Sequence, residues 1–176
     1  LEESIEAKGY DLDYTVKVHI EPMALYSKKV SGISDIADGA EIAVPNDPSN
    51  EARALQLLAD NDLIKLNDAE LPTVKDITEN PKNLKITELQ AEQLPRVLED
   101  VEAAVINTNW ALQADLNPVK DSLAIESTDS PYANILAVKK ENKDSDKIKA
   151  LSEILTSDDV RKFIEEKYDG SVIPAF

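Results

Sequence analysis

Three polar side chains stand where a predicted element begins or ends, and their types suit the two charges of a small amino acid. Arg53 lies in the first turns of a helix opened by Pro45-Asn46-Asp47-Pro48, in which Asp47 can cap and Pro48 can take the first helical position. A helix start offers free N–H groups and the positive end of a dipole, and a guanidinium adds a fork of donors, so the pair suits a carboxylate. Among 35 acidic residues, an ion pair within the protein is the competing use of this arginine. Asn107 follows the apolar run Ala103-Ala104-Val105-Ile106, at the carboxyl end of a strand, where open α/β sheets place ligands. Its amide carries a donor and an acceptor, which between them answer an ammonium and a carboxylate. Asn134 belongs to Ser130-Pro131-Tyr132-Ala133-Asn134, where the chain enters a long apolar strand, and Tyr132 adds an amphipathic ring. Such residues at element ends describe a binding cleft rather than a reaction centre. Trp110, just after Asn107-Thr108-Asn109, reads as core packing.

Other chemistries find less support. His19 and Glu21, two residues apart on a predicted strand, share a face and form a conceivable acid/base pair, but no serine, cysteine or second histidine can be tied to them. A structural hydrogen bond is the expected use, and no catalytic residue is assigned. Asn142, Asp144, Asp146 and Glu153 imitate the spacing of a calcium loop, yet Lys147 occupies the position where the sharp turn needs glycine. That stretch reads as a solvated turn capping a helix. The four glycines form no dinucleotide or phosphate loop. With no cysteine and one histidine, thiolate chemistry and the usual zinc sites are unavailable, so neither metal nor cofactor is expected. A net charge of -16 repels a polyanion, which argues against nucleic acid as a partner.

The elements that position these residues alternate between strand and helix. Tyr14–Ile20 alternates as a strand and stops at Pro22, and a second extended piece runs from Met23 to Tyr26. Glu41–Val44 is a short buried run followed by the helix of about Ser49 to Asp60, with Ala52, Leu55, Ala59 and Leu63 on one face. Leu63–Leu66, Leu84–Leu89 and Ala103–Ile106 read as further strands, with a helix near Ala91 to Asp100. Beyond a segment around Ser122 to Glu126 come the strand Ala133–Lys139, helices at about Lys147–Leu155 and Asp158–Tyr168, and the tail Ile173–Phe176. This order predicts an α/β fold whose parallel sheet is covered on both faces. No window reaches the roughly 20 apolar residues that cross a bilayer. The opening Leu1–Gly9 reads as the last turns of a helix closed by a C-cap glycine, hence as a fragment or a mature chain cut well into its first lobe.

Several segments occur in an order that resembles a known family: Val18-His19-Ile20-Glu21-Pro22-Met23, Val44-Pro45-Asn46-Asp47-Pro48-Ser49-Asn50, Glu79-Asn80-Pro81-Lys82-Asn83-Leu84, Gln93-Leu94-Pro95-Arg96, Ala104-Val105-Ile106-Asn107-Thr108-Asn109 and Ser130-Pro131-Tyr132-Ala133-Asn134. The chain is similar to the NlpA/MetQ family of methionine-binding lipoproteins over its whole length. The resemblance implies a two-lobed periplasmic-binding-protein-like fold with the first lobe incomplete. Residues 1–36 and 129–176 would form the first lobe and residues 37–128 the second. It further implies the extracytoplasmic component of an ABC importer, which captures methionine or a methionine-containing dipeptide between the lobes and delivers it to a permease. Such a protein is no enzyme, and it meets the membrane only through a lipid anchor outside this chain. By the same resemblance Arg53 pairs with the ligand carboxylate, Asn107 and Asn134 hold the ligand, and Tyr132 joins them. The family's aromatic and histidine segment, which lines the thioether pocket, would precede Leu1. A surface adhesin on the same fold is the alternative.

Overall fold

A computed structural model describes residues 5, 8–127 and 131–176. Most of the expected opening helix lies outside them, but Ile5 and Lys8 are helical and the Gly9 N–H donates to the Ile5 carbonyl at 2.7 Å. Gly9 has a φ of 65°, the left-handed conformation of a helix C-cap.

The chain divides into two compact units, one of Pro22–Ser127 and one of Leu1–Glu21 with Thr128–Phe176. In the Pro22–Ser127 unit a five-stranded sheet has the order β6-β3-β7-β2-β8, where β2 is Ala24–Tyr26, β3 Glu41–Pro45, β6 Lys85–Leu89, β7 Ala103–Ile106 and β8 Ser122–Ile125. Strand β3 runs parallel to β6 and β7, as the alternation of strands and helices requires. The sheet departs from the expected all-parallel form at β2 and β8, which are antiparallel to their neighbours. Ala24–Tyr26, assigned to the first lobe in the sequence reading, is therefore a strand of this sheet. Its three residues are fully buried between two neighbours, and the short run gives no sign of which sheet receives it.

Successive residues on each strand face opposite sides. Met23, Leu25, Ile42, Val44, Ala103 and Val105 pack on one side with Leu55, Leu57 and Leu58 of helix α1, Pro48–Asp60. Ala24, Tyr26, Ala43, Ala104 and Ile106 pack on the other side with Leu94, Leu98 and Ala111. The sheet is thus covered on both faces. Two expected elements differ in form. Leu63 and Ile64 are buried but outside any strand, and β4, Lys65–Leu66, pairs with β5, Ile77–Glu79, in a separate ribbon. The helix expected over Ala91 to Asp100 is a 3-10 turn, Ala91–Gln93, and a short helix α2, Leu94–Val97. Pro95 has no N–H to extend the ladder backwards, so the regular helix starts around it.

In the other unit β1, Leu12–Ile20, lies between β9, Ala133–Lys139, and β10, Ile173–Pro174, antiparallel to both. Helices α4, Asp146–Leu155, and α5, Asp158–Tyr168, occupy the positions expected of them. Ile20, Val138, Ile164 and Val172 are its buried apolar residues among those described. No helix among the described residues is long and apolar enough to cross a membrane.

Candidate functional site

The turn that ends β3 is built by hydrogen bonds from the sequence Asn46-Asp47-Pro48. Asp47 is the N-cap of α1: its carboxylate accepts the Asn50 N–H at 3.2 Å, and Pro48 opens the first turn. The Asn50 side chain turns back onto the same carboxylate, with its Nδ2 3.0 Å from each Asp47 oxygen. Arg53, one turn further, pairs with a residue near the end of the unit's sequence. Its Nε donates to Glu126 Oε1 at 3.1 Å and its Nη2 to Glu126 Oε2 at 2.6 Å, while Nη1 reaches Asn50 Oδ1 at 3.4 Å. The side chains of Arg53 and Glu126 keep only 11% and 15% of their surface, so this is a sheltered, two-pronged pair. The intramolecular partner weighed for Arg53 in the sequence is therefore present. Glu126 also accepts the Met23 N–H at 3.1 Å, and its own N–H donates to the Met23 carbonyl at 2.8 Å. The arginine is thereby tied to the points where the chain enters and leaves this unit.

Asn107 stands at the carboxyl end of β7 and is the N-cap of α3, Thr108–Gln113, but its side chain makes no capping bond. Its Nδ2 donates instead to Asn50 Oδ1 at 2.9 Å. Its Oδ1 is buried and accepts from no protein group among the described residues. The neighbouring Thr108 hydroxyl donates to the Pro22 carbonyl at 2.5 Å, which anchors α3 to the chain entering β2. Trp110 packs partly buried on the sheet face that carries Leu94, Leu98 and Ala111, as expected.

Asn134 and Tyr132 belong to the other unit. Asn134 is exposed on β9 directly opposite His19 on β1, and Tyr132 keeps 40% of its surface. Ser130 of the same motif lies outside the described residues. His19 Nε2 is 2.9 Å from Glu21 Oε1, the hydrogen bond expected of this histidine. In the stretch with calcium-like spacing, Ser145 takes the N-cap position of α4 without a side-chain capping bond, its hydroxyl donating to the Asn142 carbonyl at 2.8 Å, and Asp146 to Glu153 are helical, so the stretch is a turn leading into a helix.

The structure thus joins Arg53 and Asn107 through Asn50, and it adds two residues that the sequence reading did not single out. Asn50 had a local sign, an amide three residues after a capping aspartate. Glu126 had none, because its partner is 73 residues away. Burial pushes the Glu51 carboxyl above its ordinary pKa on the inner side of α1, although the Val74 N–H donates to it at 3.1 Å.

Comparison with known proteins bears on this arrangement. The family model described as NlpA lipoprotein matches residues 1–176. The chain belongs to the NlpA lipoprotein family. One NlpA relative, the D-methionine-binding lipoprotein MetQ of Salmonella typhi, is 44% identical over 177 residues, covering 98% of this chain and 65% of the relative. Lipoprotein 28 of Escherichia coli strain K12 is 42% identical over 180 residues, covering 100% of this chain and 66% of the relative. The chain therefore spans about two thirds of the length of these curated NlpA-type relatives. A nutrient-binding protein from Burkholderia cenocepacia, solved bound to methionine, is similar with a TM-score of 0.94 and 47% identity, covering 99% of this chain and 75% of that one. A periplasmic substrate-binding protein of an ABC transporter from Coxiella burnetii has a TM-score of 0.93 at 45% identity, over 99% of this chain and 74% of that one.

Proposed function

We propose that this NlpA-family chain serves in the extracytoplasmic substrate-binding component of an ABC importer, capturing methionine or a methionine-containing dipeptide for delivery to a permease. The observation that carries the reading is its 47% identity and 0.94 TM-score to a nutrient-binding protein solved with methionine. In this reading Arg53 and the start of α1 receive the carboxylate, and the buried Oδ1 of Asn107 receives the ammonium. Asn134 and Tyr132 are assigned to the ligand on the family resemblance. The work is capture and release, with no bond made or broken, and the protein acts outside the cytoplasm, tethered by a lipid. An adhesin role draws no support from the relatives named above.

Equilibrium dialysis with labelled L-methionine tests the proposal. Saturable one-to-one binding is expected. The Asn107→Ala and Asn134→Ala variants should each weaken it by about tenfold to a hundredfold, since each strips a buried ligand group of its partner. Unchanged affinity in either variant would remove that residue from the site.

A further inference from the structure

The hydrogen bonds from Asp47 through Asn50 to Asn107 have a fixed direction. A carboxylate only accepts, so the Asn50 amide must turn its Nδ2 towards Asp47, whose two oxygens lie at 3.0 Å. That leaves Asn50 Oδ1 pointing away, where it faces Arg53 Nη1 at 3.4 Å and Asn107 Nδ2 at 2.9 Å. A guanidinium only donates, so the two ends of the set demand the same orientation of the amide between them. With one Nδ2 hydrogen given to Asn50, the Asn107 amide is held with its oxygen turned the other way, and that oxygen is a buried acceptor without a donor among the described residues. An isolated asparagine would be free to rotate by half a turn and offer either atom.

We infer that Asn50 is a positioning residue that sets the polarity of Asn107 and so makes the site select ligands bringing a hydrogen-bond donor, an α-ammonium group, over ligands that lack it. This deepens the proposed function and rests on it. Asn50 acts through Asn107 and is given no contact with the ligand. Its weak contact to Arg53 bears on the carboxylate, which ligands with and without the amino group share. The ratio of their affinities therefore isolates the effect on Asn107.

The test compares L-methionine with its des-amino analogue, 4-(methylthio)butanoate, on the wild-type chain, Asn50→Ala, Asn107→Ala and the double variant. Circular dichroism serves as the check on folding. The preference for methionine is expected to fall about tenfold in Asn50→Ala, because a freed amide can turn its donor towards the ammonium. It should fall no further when Asn50→Ala is added to Asn107→Ala. An unchanged preference in Asn50→Ala, or an equal fall in the Asn107→Ala background, would overturn the inference. A second measurement needs no ligand: exchange of the Asn107 side-chain amide protons with solvent, followed by NMR, should be slow in the wild type and faster in Asn50→Ala. Equal exchange in both refutes the orientation. A folded wild-type chain that binds no methionine would contradict the proposed function, and the amide exchange would then decide the inference alone.

Discussion

The side chains that matter most are those whose charge is held away from water by a specific partner. Arg53 and Glu126 are sheltered and fork-paired, and Glu126 also holds the Met23 N–H, so removing the carboxylate leaves a buried cation and an unpaired backbone donor. Glu126→Ala should destabilise the chain by about 3 kcal/mol or more in urea unfolding, because breaking such a pair strands its partner. The exposed pair Lys28–Glu99 supplies the contrast: Lys28→Ala should change stability by less than about 1 kcal/mol in the same assay. Glu51 yields a pH prediction. Burial raises its pKa, so the folded state binds that proton more tightly than the unfolded chain does. Its contribution to stability is then fullest below the ordinary carboxylate range and is lost as pH rises through the raised value. Glu51→Gln, which imitates the protonated form and can still accept from Val74, should melt close to wild type in acid and increasingly above it towards neutral pH. A difference that shrinks as pH rises would contradict the burial argument.

The elements follow from local pattern where they are regular and from distant partners where they are not. Helix α1 sets Leu55 and Leu58, each 0% exposed, against the sheet, so Leu55→Ala should cost about 2–5 kcal/mol by thermal or denaturant unfolding. Ile154 of α4 is 61% exposed, and its change to alanine should cost well under half as much. The extent of α1 was legible because Asp47 and Pro48 mark its start and its apolar spacing marks its inner face. Helix α5 was legible for similar reasons, with Ser157 accepting the Val160 N–H as its cap. The route of β2 was not legible, since three apolar residues carry no record of antiparallel neighbours about 80 and about 100 residues later in the chain. The break near Pro95 was legible in principle, because proline's missing donor is local information that the longer periodic pattern obscured. At the site, Arg53 and Asn107 could be picked out by their place at element ends, whereas Glu126 depended on a tertiary pairing that no local pattern encodes.

At the scale of the whole molecule, the two units are unequally furnished. The Pro22–Ser127 unit has a sheet packed on both faces, while the buried apolar residues described in the other are Ile20, Val138, Ile164 and Val172. Amide hydrogen exchange should therefore be slowest in β3 and β7 and markedly faster in β9, and the reverse order would contradict this account of where stability resides. The net charge of -16 adds self-repulsion that salt screens, and it would repel a polyanionic partner. The most direct measurement is native mass spectrometry of the folded chain with L-methionine added, repeated with Arg53→Ala. One methionine should be retained per chain, lost on denaturation and absent or much reduced in the variant. A folded chain that retains none, or retains it equally without Arg53, would contradict the central claim that Arg53 and Asn107, joined through Asn50, receive an amino acid.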